Sequence, residues 1–165
     1  MAVEHSFDVV SKIDLQEVDN AINQALKEIF ARFDFKGTKS TIELDRGKNA
    51  IQVVSDDEYK LKAVLDILKE KFAKRKLPIK AMHFEKMEPA AGGLVKQAIT
   101  LQQGIPIEQA REIVKLVKTT KAKIQGEIQK DQVRIRGKNI DDLQSFMKLL
   151  KEKDFGIHME FVNYR

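Results

Sequence analysis

The feature that most limits what this chain can fold into is a pattern that occurs twice, 82 residues apart. Ile51 falls on Val133, Val53 on Ile135, Leu61 on Leu143 and Leu68 on Leu150. The tetrapeptide Leu68-Lys69-Glu70-Lys71 returns unchanged as Leu150-Lys151-Glu152-Lys153. Lys and Glu are abundant, so the tetrapeptide alone proves little. Its register with the apolar positions on both sides is what points to an internal duplication.

Each copy reads in the same element order. Phe7–Ile13 alternates in the manner of a strand. Asp14-Leu15-Gln16-Glu17 has the acceptor and following Glu of a helix start, and Leu15, Val18, Ile22, Ala25, Leu26, Ile29 and Phe33 continue at helical spacing. Strands are expected at Ser40–Asp45 and Ala50–Ser55 around an Arg46-Gly47-Lys48-Asn49 turn. A second capping box, Ser55-Asp56-Asp57-Glu58, opens a helix carrying Leu61, Val64, Leu65, Leu68 and Phe72, and a strand follows near Lys80–Met87. Ala90-Ala91-Gly92-Gly93 punctuates the chain. The second copy then offers a strand at Leu94–Leu101, a helix with Pro106 at its first position, and a hairpin of Lys123–Gln129 and Gln132–Gly137 across Lys130-Asp131. A helix through Leu143, Phe146, Met147 and Leu150 and a strand at His158–Tyr164 complete it. The fold class is therefore α+β: two ferredoxin-like (βαββαβ) lobes, each an antiparallel sheet with helices on one face and the other face available.

Composition narrows the function. The chain has no cysteine, which excludes disulfides, thiolate metal sites and a cysteine nucleophile. No apolar run approaches the ~20 residues that span a bilayer. The opening Met1-Ala2-Val3-Glu4-His5-Ser6 has no basic region leading to an apolar stretch, so a cytoplasmic location with no membrane contact is expected. A net charge of +5 and a pI of about 9.3 favour polyanions modestly, although such a charge also simply aids solubility.

The charge is unevenly spread along the chain. Residues 14–90 hold 15 basic and 14 acidic side chains, whereas residues 91–165 hold 14 and 9. The open face of the second sheet would carry Lys123, Gln125, Glu127 and Gln129, then Gln132, Arg134 and Arg136, then His158, Glu160, Val162 and Tyr164. The first would carry Thr41, Glu43, Asp45, Gln52, Val54, His83 and Glu85 and is mildly acidic. A basic surface draws phosphate and amides can read base edges. Alternating polar residues are equally what any one-sided sheet shows. A simple RNA-recognition motif is disfavoured, because that module stacks bases on sheet aromatics and Val133-Arg134-Ile135-Arg136 has none.

Catalytic signatures are missing. His5, His83 and His158 lack metal-ligand spacing, so no metal is expected. Gly47-Lys48 and Gly137-Lys138 superficially resemble a phosphate loop, but neither is followed by Ser or Thr, and Ile42 and Gln132 stand where the leading glycine should be. Asp56-Asp57 and Asp141-Asp142 fall at helix starts, where they complement the helix dipole. A non-enzyme without cofactor is expected.

Several segments together carry a resemblance. They are Ser6-Phe7-Asp8-Val9-Val10-Ser11 with Asp14-Leu15-Gln16-Glu17-Val18, then Arg32-Phe33-Asp34-Phe35-Lys36-Gly37, Gln103-Gly104-Ile105, Lys123-Ile124-Gln125, Val133-Arg134-Ile135-Arg136-Gly137-Lys138, Asp141-Asp142-Leu143-Gln144 and Phe161-Val162-Asn163-Tyr164-Arg165. In order and spacing the chain resembles the bacterial YajQ family of nucleotide-binding proteins over essentially its whole length. The resemblance implies lobes that exchange their first strands, Phe7–Ile13 joining the second and Leu94–Leu101 the first. The lobes would then be 14–103 and 1–13 plus 104–165. It also implies a nucleotide or RNA ligand, with links to tRNA and to cyclic di-GMP signalling, and brings no catalytic residues.

The expected phosphate ligands are Lys118, Lys121, Lys123, Arg134, Arg136 and Lys138, with Gln125 and Gln129 offering hydrogen bonds to bases. Arg32 and Lys36 flank Phe33 and Phe35, aromatics read mainly as core, and are further candidates. The rival expectations are a protein-interaction adaptor docking a transcription factor or the ribosome, and an unrecognised nucleotide-processing enzyme.

Overall fold

The computed structural model describes residues 3–165; Met1 and Ala2, part of the opening stretch read above, lie outside the described residues. The chain divides into two compact units, residues 13–102 and residues 1–12 with 103–165.

The first unit contains α1 (Leu15–Ala31), β2 (Thr41–Asp45), β3 (Ala50–Ser55), α2 (Glu58–Lys74), β4 (Met82–Phe84), β5 (Glu88–Pro89) and β6 (Val95–Leu101). Its sheet runs β2-β3-β6-β4, antiparallel throughout, with β5 also on β6. Ile42, Ile51, Val53 and Ile99 from the sheet are buried with Val18, Ile22, Ile29, Leu61, Leu68 and Phe72 from the helices. Asp14 caps α1, its Oδ1 accepting from the N–H groups of Gln16 (2.9 Å) and Glu17 (3.3 Å). The reciprocal half of that box is absent, because the Glu17 carboxylate instead accepts from Arg75 at 2.8 Å. The second box differs more. Asp57 caps α2, while Ser55 is fully buried against the Ser40 hydroxyl (2.9 Å) and Asp56 accepts from the Lys39 N–H. Among three adjacent acceptors the cap falls to the one whose Oδ1 reaches Lys60 N–H, at 2.7 Å.

The second unit contains β1 (His5–Val10), α3 (Ile107–Thr119), β7 (Ile124–Gln129), β8 (Gln132–Gly137), α4 (Ile140–Glu152) and β9 (Glu160–Val162), with sheet order β7-β8-β1-β9. Phe7, Val9, Val133 and Ile135 face Ile113, Val117, Leu143, Phe146 and Leu150 in its core. Pro106 stands one residue before α3, as its N-cap, rather than at its first position. The closing strand is shorter than the alternation suggested, and so is the strand near Lys80–Met87, where a 3₁₀ turn occupies Ile79–Ala81.

Both units show one sheet order: second hairpin strand in the centre, beside the strand that precedes the first helix in a ferredoxin-like lobe. In the second unit that central place is held by β1, paired antiparallel to β8 and β9. In the first it is held by β6, paired to β3 and β4. The exchanged first strands implied by the resemblance are present in these pairings.

Candidate phosphate-binding site

The site is built where the β7–β8 hairpin opens, opposite its Lys130-Asp131 turn. Register pairs Ile124 with Gly137 and Gln125 with Arg136. This sets the chain arriving at β7 beside the chain leaving β8. Gly137 makes the approach feasible: a Cβ there would meet Ile124 Cγ2 at 2.9 Å and the Lys123 carbonyl oxygen at 3.2 Å. Upstream, α3 is closed by Thr119 and Thr120 hydroxyls donating to the Leu116 and Val117 carbonyls at 2.7 and 2.8 Å, and the chain bends through Lys121–Lys123 into β7. Downstream, Asn139 caps α4, its Oδ1 accepting from Asp141 and Asp142 N–H at 2.8 and 3.4 Å.

The result is a surface depression of about 890 Å³ that brings together Lys121, Lys123, Gln125, Arg136 and Lys138. Glu4, Asn139 and Asp142 also line it. Lys121, Lys123 and Lys138 are exposed, and among the described residues none has a carboxylate within ion-pair distance. Arg136 is engaged, its guanidinium hydrogen-bonded to Glu127 and 3.9 Å from Glu4. Three unneutralised ammonium groups with an adjacent amide suit a phosphate, as mobile point charges rather than a rigid fork.

Arg134 does a different job. Register sets it opposite Asp8, and its Nε and Nη2 donate to Asp8 Oδ1 and Oδ2 at 2.9 and 3.4 Å. The Asn163 amide donates to Oδ2 at 2.8 Å. Asp8 is 1% exposed. Burial works to raise its carboxyl, but the hydrogen bonds from Arg134 and Asn163 and the Arg134 charge outweigh it and hold the group below the ordinary carboxylate value. Asp8 in turn raises the Arg134 guanidinium. The pair clamps β1, β8 and the segment after β9 together. Asp8, Asn163, Glu4 and Asn139 were absent from the sequence candidates. Asp8 and Asn163 do lie inside two of the segments that carry the resemblance.

The other candidates are dispersed. Lys118 is exposed on the last turn of α3 and does not line the depression. Gln129 lies four residues along β7 from Gln125, about 13 Å away at ~3.3 Å per residue, and accepts from the Gln132 amide at 3.5 Å. Arg32 and Lys36 belong to the first unit. Arg32 donates to both Asp34 oxygens, at 3.0 and 2.8 Å, and stands over the Phe35 ring. Hydrogen bonding to Asp34 raises the Arg32 guanidinium above its ordinary value. Phe35 is buried as expected, but Phe33 is 87% exposed, because α1 ends at Ala31 and the following 3₁₀ turn points it outward.

Among the described residues no three His, Asp or Glu side chains are grouped to hold a metal ion, and no helix is long and apolar enough to cross a membrane. Residues 5–165 match the family described as nucleotide-binding protein YajQ-like. A nucleotide-binding protein of Geotalea uraniireducens is 53% identical over 160 residues, 97% of this chain and 98% of the relative. One of Carboxydothermus hydrogenoformans is 51% identical over 165 residues and the full length of both chains, and one of Koribacter versatilis is 56% identical over 162 residues, 98% of each. With identity above half and coverage almost complete, the chain belongs to the YajQ-like family.

Proposed function

We propose that the chain binds a nucleotide or RNA through phosphate held in the depression of the second unit, without catalysing a reaction on it. The observation that carries this is the convergence of Lys121, Lys123 and Lys138, unpaired among the described residues, beside the Gln125 amide. The relatives' common description as nucleotide-binding supports the ligand class. Arg136 joins them if a phosphate draws it from Glu127 and Glu4, while Arg134 serves to hold the sheet. The ligand forms that fit are a mononucleotide, cyclic di-GMP, and a single-stranded RNA or tRNA.

The test is a titration against GTP, cyclic di-GMP, a single-stranded RNA and tRNA, each at 50 and 200 mM salt. Three lysine–phosphate contacts on a single strand predict a log–log salt slope of about −2 and a loss of about 20-fold across that range. Saturable, salt-resistant binding of one small nucleotide identifies a sensor; salt-sensitive binding of RNA alone identifies an RNA module. A second reading, a docking adaptor for a transcription factor or the ribosome, is favoured by one observation: Phe30, Phe33 and Tyr59 in the first unit are all strongly exposed. Failure to bind any of the four ligands moves the function to that reading.

A further inference from the structure

On the other side of the α4 start lies a second hollow of about 630 Å³ within the same unit. Its character is different. Leu143, Met147 and Ile140 of α4 and Phe7 of β1 give it an apolar wall. Tyr164, 65% exposed, lies across it with its hydroxyl 3.7 Å from Met147 Sδ. The ring is held there by backbone: Arg165 N–H donates to the Ser6 carbonyl at 3.1 Å, and Ser6 N–H to the Arg165 carbonyl at 3.4 Å. Gln144, exposed at the rim, has no hydrogen-bond partner for its amide among the described residues. A size of a few hundred cubic ångströms, apolar walls and few polar groups is what small planar ligands require.

The two hollows share a wall. Glu4 lines the basic depression and His5 the apolar one; Asn139 lines the basic depression and Ile140 the apolar one. Each pair is consecutive in sequence, so the same two short backbone stretches border both hollows. Glu4, between the hollows and more than half exposed, presents a carboxylate of the kind that can accept from ribose hydroxyls.

We propose that the apolar hollow is the nucleobase subsite of the same ligand whose phosphate occupies the basic depression. The base stacks on Tyr164 against Met147 and Leu143, and Gln144 hydrogen-bonds its edge. The inference rests on the phosphate reading above. It adds that a nucleotide binds as one piece bent over the Glu4–Asn139 ridge, so that the base contributes affinity of its own.

The probes are ribose 5-phosphate and the 5′-monophosphates of guanosine, adenosine, cytidine and uridine. The readout is the methyl resonance of Met147 in protein carrying ¹³C-methyl methionine, assigned with Met147→Leu, together with affinity by calorimetry. At least one mononucleotide should bind about tenfold or more tightly than ribose 5-phosphate and shift Met147 by ring current, while ribose 5-phosphate leaves Met147 in place. Tyr164→Ala and Gln144→Leu should reduce that mononucleotide to the level of ribose 5-phosphate without weakening ribose 5-phosphate itself. If mononucleotides bind, depend on Lys121, Lys123 and Lys138, and leave Met147 and the Tyr164 variant unaffected, the base subsite is wrong and the phosphate site stands. If nothing binds in a lysine-dependent way, both fail.

Discussion

The two units share a topology and nearly a charge, yet among the described residues only the second gathers open lysines around one depression. Counted by unit, residues 13–102 hold 16 basic and 14 acidic side chains, and residues 1–12 with 103–165 hold 14 and 11. The excess read along the chain, +1 against +5, shrinks to +2 against +3, because the opening segment brings Glu4, Asp8 and Lys12 into the second unit and β6 carries Lys96 out of it. In the first unit cations act as struts: Arg75 to Glu17 and Lys71 to Glu28 join α2 to α1, and Arg46 to Asp19 joins the β2–β3 turn to α1. In the second unit Arg134 pairs with Asp8 and Arg136 with Glu127 and Glu4, while lysines at the hairpin mouth stay open. Net charge therefore says little about which unit meets phosphate; the pairing state of each cation says more.

The contrast can be broken at its buried end first. Asp8→Ala strands Arg134 and Asn163 around an emptied buried position. It should cost about 3 kcal/mol, the low end for breaking a buried pair because the arginine head is partly solvated, and lower Tm by roughly 6–12 °C for a chain of this size. Urea unfolding and thermal melts measure it. The same group sets an acid limb. The folded-state carboxyl lies below its ordinary value of 3.8, so its contribution is complete above that value and is lost as pH falls through the lowered one. Asp8→Asn should flatten the stability profile between those two points relative to the parent, measured by urea unfolding at closely spaced pH.

A smaller effect is expected where the strands close. Gly137→Ala forces its new Cβ against Ile124 and the Lys123 carbonyl and should destabilise by about 1–3 kcal/mol. It should also displace Lys123 from Lys138 and weaken phosphate binding; an unchanged affinity in a destabilised Gly137→Ala protein would separate the hairpin mouth from the site. The smallest change belongs to the first unit's struts. Glu17→Ala removes a half-buried pair with Arg75, and it should lower the urea midpoint only a little, with the loss shrinking in high salt.

How far the sequence could be read follows from the range of the forces involved. Helices and hairpins were legible because periodicity is local: Ile51 and Val53, and Val133 and Ile135, are buried where alternation put them. Caps were legible only to within a residue or two, since Ser55, Asp56 and Asp57 all offer acceptors and three-dimensional neighbours decide among them. Lys121, Lys123 and Lys138 could be nominated as basic residues flanking one hairpin. The partner of Arg134 could not, since Asp8 is 126 residues away and alternation says which face a residue takes, not which strand lies beside it. Phe33 shows the same limit at short range: its helical spacing suggested core, but α1 stops two residues earlier. The Tyr164 hollow was invisible because it joins β1, α4 and the segment after β9.

The most direct measurement compares two triple variants of equal charge in one titration against the RNA or nucleotide that binds the parent most tightly. Lys121→Ala with Lys123→Ala and Lys138→Ala removes the open lysines of the second unit. Lys27→Ala with Lys48→Ala and Lys62→Ala removes three exposed lysines of the first unit. The first set should abolish the salt-dependent part of binding and flatten the log–log salt slope by about 2, while the second leaves affinity within about twofold. Equal losses from the two sets would contradict the assignment, because binding would then follow total charge and not the hairpin mouth.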